Sequence, residues 1–257
     1  MMRSFEGWLT DVMRALGFLS RVPVDARWFE EFDGRYDRAA RMFPLAGALV
    51  ALPGAILLVL LVTVGLSPLA SALIVVALSI VLTGALHEDG LADFADGLAG
   101  RTPECRIAIM RDSAVGAYGV LALILVIGLR VALVAELASG NASLAAVGFF
   151  ASAAASRAAM VVLWRWTRPA SASGAAASVG PPGPHAATFA SMLALVLAAP
   201  LFVLVPLSFL IALTLAAATT LVLKRDVDKR LGGHTGDVLG AAAVLSEVAF
   251  LLGLAVG

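Results

Sequence analysis

Apolar residues along this chain fall into runs of membrane-spanning length, separated by short polar turns or longer charged loops. A helix needs about 20 apolar residues to cross the hydrocarbon core of a bilayer. Residues 43–66 and 68–86 meet that requirement, as do 116–137 (with one arginine inside), 141–164 (rich in alanine and serine) and 238–256. Residues 187–223 would make roughly 55 Å of helix, too long for one crossing. Pro200 and Pro206 mark a break there, so the run reads as two spans. The pattern predicts an all-α polytopic integral membrane protein with about seven transmembrane helices, six being the main alternative. Before the first span, Phe5, Trp8, Leu9, Val12, Leu16 and Leu19 recur at helical spacing, with Glu6, Asp11 and Arg14 on the other face. This predicts an amphipathic helix, either lying in the membrane interface or packed on the cytoplasmic loops. The expected organisation is one membrane-embedded catalytic domain over residues 1–257. Residues 1–42 form its cytoplasmic or interfacial segment, and residues 43–257 carry the spans.

Composition agrees with the runs. Of 257 residues, 61% are hydrophobic and 14% charged, against about half and a quarter in soluble domains. A soluble enzyme, a disordered chain and a disulfide scaffold are excluded. The net charge of zero gives no reason to expect nucleic acid as a partner. The single Cys105 rules out an intrachain disulfide and a cysteine-rich metal site. The first 40 residues mix arginines and acids and lack the apolar core of a signal peptide.

Charge placement sets the orientation. Sixteen of the 18 lysines and arginines, and sixteen of the 18 acids, fall within residues 1–43, 87–115, 164–186 and 224–237. The turns near Ser67, Ser139 and Pro206 carry no lysine or arginine. By the positive-inside rule the charged segments lie in the cytoplasm, with the N-terminus inside and the C-terminus outside. The expected location is the bacterial cytoplasmic (inner) membrane, in contact with its lipid, with chemistry on loops 87–115 and 224–237.

The densest polar cluster is His87-Glu88-Asp89-Gly90-Leu91-Ala92-Asp93-Phe94-Ala95-Asp96-Gly97. On a helix, Asp89, Asp93 and Asp96 share one stripe at i, i+4 and i+7. Three carboxylates on one stripe repel one another, and a hard divalent cation would relieve that. Mg²⁺ takes oxygen ligands and usually keeps substrate phosphates among them. The plain alternative is an acidic helix end paired with nearby arginines. Glu88 and Asp112 are further candidate ligands. Near Asp112, Arg106 and Arg111 could grip phosphate oxygens through forked hydrogen bonds, or serve only as positive-inside charges. The third cluster runs from Lys224, Arg225 and Arg230 to Gly232-Gly233-His234-Thr235-Gly236-Asp237. A glycine-rich turn feeding a helix N-terminus can present free N–H groups to an anion. It is not a Walker A loop, whose lysine and glycines come in another order. His234 could act as a base, a phosphate donor or a plain loop residue. Inside the spans stand Arg130, Glu136, Arg157 and Glu247. Intramembrane charges are costly and are usually paired or functional. An Arg130–Glu247 pair is expected, while Arg157 lies close enough to the cytoplasmic end to reach the site. The run Ala151-Ser152-Ala153-Ala154-Ala155-Ser156 allows close helix packing, and with it a homo-oligomer.

Taken together these stretches resemble cobalamin synthase, the adenosylcobinamide-GDP ribazoletransferase family. The resemblance rests on Gly84-Ala85-Leu86-His87-Glu88-Asp89-Gly90-Leu91-Ala92-Asp93 with Asp96-Gly97, on Ile109-Met110-Arg111-Asp112-Ser113 with Gly116, and on Gly232-Gly233-His234-Thr235-Gly236-Asp237-Val238-Leu239-Gly240-Ala241. Weaker matches at Phe18-Leu19-Ser20-Arg21-Val22-Pro23-Val24, Ser156-Arg157, Lys224-Arg225 and Glu247 extend it over nearly the whole chain. The resemblance implies that α-ribazole or its 5′-phosphate attacks adenosylcobinamide-GDP, giving adenosylcobalamin or its 5′-phosphate and GMP. It implies Mg²⁺ on Asp89, Asp93, Asp96 and Asp112, with Glu88 as a weaker candidate. Catalytic groups would be drawn from these aspartates and Asp237. Substrate contacts would come from Arg106, Arg111, Arg157, Lys224, Arg225, Arg230, Gly232, Gly233, His234 and Thr235. A CDP-alcohol phosphotransferase is the enzyme rival, but the Ala-Arg that its motif carries is absent after Asp89-Gly90. A transporter is the non-enzyme rival, and would place its ionisable groups at mid-membrane on broken helices.

A reporter fused after Gly257 is expected to read as external, and a cytoplasmic reading would require an even number of spans.

Overall fold

The computed structural model describes residues 2–30, 32–171 and 179–256; Phe5 and Glu6 of the predicted amphipathic face lie outside the described side chains. The described residues are mainly helical and contain no strand, only one isolated bridge between Pro169 and His234. Ten α-helices are present among them. α1 is Met2–Leu19, α2 Phe43–Thr63, α3 Pro68–Thr83, α4 Leu86–Gly97 and α5 Pro103–Met110. α6 is Ala117–Gly140, α7 Ala142–Trp166, α8 Ala186–Leu204, α9 Pro206–Arg230 and α10 Gly236–Val256.

Among the described residues, six helices are long and apolar enough to cross a membrane, and counting the bent α3–α4 pair as one span gives seven. The chain is a polytopic membrane protein. The run 187–223 does form two helices, hinged at Val205, with Pro206 opening the second. Pro200 sits inside α8 and breaks nothing. The run 68–86 ends earlier than its apolarity suggests. Gly84 caps α3 in the left-handed region (φ 64°), and Ala85 follows at φ 56°. Such a conformation is rare outside glycine. Two consecutive left-handed residues end one helix and turn the next by 89°. α4 therefore runs across the bundle, which removes it from the spanning direction and places its stripe of aspartates at the bundle's end.

α7 and α10 are the most enclosed spans. Their small residues permit it, since lipid-embedded helices associate through close backbone contact. A Cβ on Gly47 of α2 would stand 2.7 Å from Ala153 O of α7. Gly253 of α10 lies directly on the Ala212 backbone of α9. α1 packs on α2 and on the 3-10 turn Ala39–Met42, and buries Val12, Ala15 and Leu19 in a core with Phe43, Leu163 and Trp164. Its expected polar face is packed as well. Asp11 is buried and holds Arg41 at 2.7 Å and Arg38 at 3.0 Å, and Arg14 donates to Trp28 O at 2.8 Å. The amphipathic helix is thus present and packs on the start of the first span.

α4 and α10 cross at glycine. A Cβ on Gly90 would stand 2.8 Å from Asp237 O and 3.2 Å from Gly240 Cα. Gly90→Ala is expected to force the two helices apart and lower thermal stability in detergent, at a typical overpacking cost of about 1–3 kcal/mol. Gly128, with open space around its Cβ position, is the control. Gly128→Ala is expected to be neutral or stabilising by up to about 1 kcal/mol. Equal melting behaviour of the two variants would contradict the close crossing.

Candidate active site at the crossing of α4 and α10

The crossing assembles the site. Asp89 and Asp93 lie one turn apart on α4, and Asp237 enters from the first turn of α10, against Gly90. Asp89 is exposed, while Asp93 and Asp237 are half-buried. The Asp93 carboxyl is pushed up to about 6, first by burial and then by the negative charges of Asp89, Asp237 and Asp96. Arg111, exposed at the end of α5, is close enough for its charge to act on Asp237. The result is an acidic group facing the polar side of the bundle, with one cation at its edge.

Asp96 shares the stripe but does different work. Its Oδ2 accepts from Gly116 N–H at 2.7 Å and its Oδ1 from Gly119 N–H at 2.9 Å. Both oxygens cap the N-terminus of α6, where a negative charge also suits the helix dipole. Gly116 and Gly119 leave the space, since a Cβ on either would strike the carboxylate. Asp96 thus serves as a cap of α6. Asp112 is exposed and accepts from Ala114 N–H at 3.1 Å, closing its own turn. It is not among the charges that act on Asp93. Glu88 points away from the stripe and pairs with Arg130 at 3.3 Å inside the bundle. Its expected place as a metal ligand does not match that position. Arg157 is also turned inward, onto Glu247 at 3.0 Å, and does not extend to the site. The expected Arg130–Glu247 pair is present at 2.7 Å.

The glycine-rich turn does not form an open phosphate cradle. His234 N–H donates to Arg168 O at 2.8 Å, and Ala170 N–H donates to His234 O at 2.9 Å. Gly233 rests against the backbone of Arg168, Pro169 and Ala170, leaving no room for a Cβ. Arg168 Nε donates to Gly232 O at 2.9 Å. Thr235 caps α10, its Oγ1 accepting from Val238 N–H at 3.2 Å and donating to Asp237 Oδ2 at 3.2 Å. His234 is buried, which pulls its imidazole down to about 4 and keeps it neutral at neutral pH. Its Nδ1 meets Thr167 Oγ1 at 2.9 Å, and that hydroxyl donates to Leu163 O at 2.7 Å. With the hydroxyl hydrogen so used, Nδ1 is the ring donor and Nε2 keeps the lone pair. A neutral, enclosed imidazole is a poor phosphate ligand. Its partners in residues 167–170 carry no motif, and nothing in the sequence pointed to them.

Among the basic candidates, Lys224 pairs with Asp228 at 2.6 Å and Arg230 with Asp226, each one turn apart on α9. Arg106 is half-buried, with its backbone against Gly97 and Gly100. Arg111 and Arg225 are exposed and make no ion pair among the described residues. Arg111 is therefore the cation best placed for a phosphate oxygen at the acidic group.

Among the described residues, no three His, Cys, Asp or Glu side chains converge on one metal position. The donor set still fits a hard cation. Mg²⁺ is commonly held by one or two carboxylates with substrate phosphates and water completing its shell. Asp89, Asp93 and Asp237 supply such oxygens, and their mutual repulsion on Asp93 is the charge a cation would relieve.

Fold and site together define a polytopic membrane protein with a carboxylate-rich, phosphate-compatible site at one end of its bundle. The chain belongs to the family described as Cobalamin-5-phosphate synthase, which it matches over residues 11–255. It is 46% identical over 250 residues to an adenosylcobinamide-GDP ribazoletransferase of a Sinorhizobium sp, covering 95% of each chain. It is 46% identical over 252 residues to the protein of that name from Rhizobium meliloti (strain 1021), again covering 95% of each. The Brucella anthropi protein of that name is 41% identical over 253 residues, with 95% of each chain covered. No solved structure matches the chain.

The raised Asp93 carboxyl has a consequence for stability. A folded carboxyl titrating at about 6, against 3.8 for the ordinary value, binds more protons folded than unfolded between those values. Asp93 therefore costs stability that is absent below the lower value and complete above the upper one. Asp93→Asn is expected to raise the melting temperature at about pH 7.5 and to leave it unchanged near pH 3.5. A lower melting temperature at neutral pH would contradict the crowded acidic group.

Proposed function

We propose that this chain joins adenosylcobinamide-GDP to α-ribazole or α-ribazole 5′-phosphate, releasing GMP and adenosylcobalamin or its 5′-phosphate. The reading rests most on one observation: the α4–α10 crossing concentrates Asp89, Asp93 and Asp237 beside Arg111, in a family whose named relatives are adenosylcobinamide-GDP ribazoletransferases. The ribose hydroxyl oxygen attacks the cobinamide-side phosphorus. The bond from that phosphorus to the bridging oxygen breaks, GMP leaves with that oxygen, and the hydroxyl proton passes to a base. Mg²⁺ held by Asp89, Asp93 and Asp237 would neutralise charge on the diphosphate, as phosphoryl transfer requires.

The remaining steps belong to the chain's own side chains. Arg111 holds a phosphate oxygen at the edge of the acidic group. One of Asp89, Asp93 and Asp237 accepts the hydroxyl proton. The rigid cap of Asp96 on α6 keeps α4 beside the loop that carries Arg111. The positive-inside rule supports a site on the cytoplasmic face of the bacterial inner membrane, with the N-terminus inside and the C-terminus outside. The intramembrane charges Glu88, Arg130, Arg157 and Glu247 are paired with one another inside the bundle, which does not favour a transport pathway.

Purified protein in nanodiscs, given adenosylcobinamide-GDP and α-ribazole 5′-phosphate, is expected to release GMP only with a divalent metal and to form a corrinoid product in equal amount. Asp93→Asn is expected to lower that rate by about a hundredfold or more. Near-normal turnover in this variant would remove the carboxylates from the reaction.

A further inference from the structure

Behind the acidic group, enclosed by the helices, lies a second set of charges. Glu88, Arg130, Arg157 and Glu247 are all buried. Glu247 Oε1 is 2.7 Å from Arg130 Nη2, and its Oε2 is 3.0 Å from Arg157 Nη1. Arg130 Nη1 is 3.3 Å from Glu88 Oε1, and Arg130 Nη2 donates to Ser79 Oγ at 2.9 Å. Arg157 Nη1 donates to Ser156 Oγ at 2.9 Å. These contacts tie together α3, α4, α6, α7 and α10. The polar cavity they border, about 10 Å³, has room for roughly one water. His87 faces that cavity and has no protein partner for either ring nitrogen.

Stability alone does not explain the arrangement, because buried ion pairs are often replaceable by apolar side chains without loss. Orientation does. α4 starts from two left-handed residues and has no side-chain cap at its N-terminus. Its rotation about its own axis is set by the groups it presents to its neighbours: Gly90 against α10, Asp96 on the N-terminus of α6, and Glu88 in the interior. Glu88 and Asp89 are neighbours on that helix and point about 100° apart. Fixing Glu88 inward therefore fixes Asp89 outward, and Asp93 one turn on. Arg130 grips Glu88 of α4 and Glu247 of α10 at once. It pins the helix carrying Asp89 and Asp93 to the helix carrying Asp237.

We propose that Glu88, Arg130, Glu247 and Arg157 are positioning residues, an ion-pair lock that sets the rotation of α4 against α10 and so aims Asp89 and Asp93 at Asp237. The proposal rests on the proposed reaction only where turnover is read.

The test pairs hydrogen exchange with GMP-release kinetics on the full chain in detergent. In Glu88→Gln, amide exchange in residues 86–97 is expected to accelerate about tenfold or more, with α9 unchanged. kcat is expected to fall about a hundredfold, with KM changed by less than about twofold and activity partly restored in Glu88→Asp. Ser79→Ala, which removes a single hydrogen bond from Arg130, is expected to show the same pattern more weakly, and it decides the matter if Glu88→Gln does not fold. Unchanged exchange in residues 86–97, or acceleration spread evenly over all helices, would overturn the proposal. So would a raised KM at intact kcat. Exchange needs no substrate, so absent GMP release in the wild-type chain defeats the proposed reaction and leaves exchange to judge the lock.

Discussion

Two helix backbones touching at Gly90 and Gly240 determine where every carboxylate of the site can stand. Side chains of ordinary size would hold helices 8–10 Å apart. Here a Cβ on Gly90 would already be 2.8 Å from a carbonyl of the partner helix. That approach brings Asp237 against the face of α4 that carries Asp89 and Asp93. The 89° turn at Gly84 and Ala85 is what makes the crossing possible, since a straight continuation of α3 would have carried α4 out of the bundle. Crowding follows from the geometry, and the raised Asp93 carboxyl is its electrostatic consequence.

Within α4 the charged residues divide by direction. Asp89 and Asp93 face the polar end of the bundle, Asp96 turns to the N-terminus of α6, and Glu88 enters the protein interior. Four acids within nine positions thus do three kinds of work. The loop before α10 shows a similar division. Its glycines and histidine lock onto residues 167–170, and only Asp237, past the cap at Thr235, is left to face the aspartates of α4. A short helix pinned at both ends, by an ion pair and by a cap, presents its remaining carboxylates with little freedom. Chemistry on a phosphate benefits from that rigidity, because misplacement by an ångström is costly in rate.

Much of this was legible in the amino-acid sequence, and the exceptions have physical causes. Apolar runs mark spans because a bilayer imposes a length, and the i, i+4, i+7 stripe survives because all three aspartates fall on one helix. The Arg130–Glu247 pair was legible because neither charge could stand alone in the membrane. The early end of α3 was not, since Leu86 is as apolar as its predecessors and Ala85 gives no sign of a left-handed conformation. The capping role of Asp96 and the turn closed by Asp112 were not legible, because a cap and a metal site use the same carboxylate. The local signal that separates them for Asp96 is the pair Gly116 and Gly119, which clear the space around it. His234 lay in a motif suggestive of phosphate binding, but its burial depends on residues 167–170, distant in sequence.

The most direct test is an experimental structure of the chain with adenosylcobinamide-GDP and Mg²⁺, the substrate's second partner withheld to prevent turnover. The diphosphate is expected at the α4–α10 crossing, with density for metal between its oxygens and Asp89, Asp93 or Asp237, and with Arg111 on a phosphate. Diphosphate bound instead along the basic end of α9 or against the turn at His234, with the three aspartates left free, would contradict the assignment of the site.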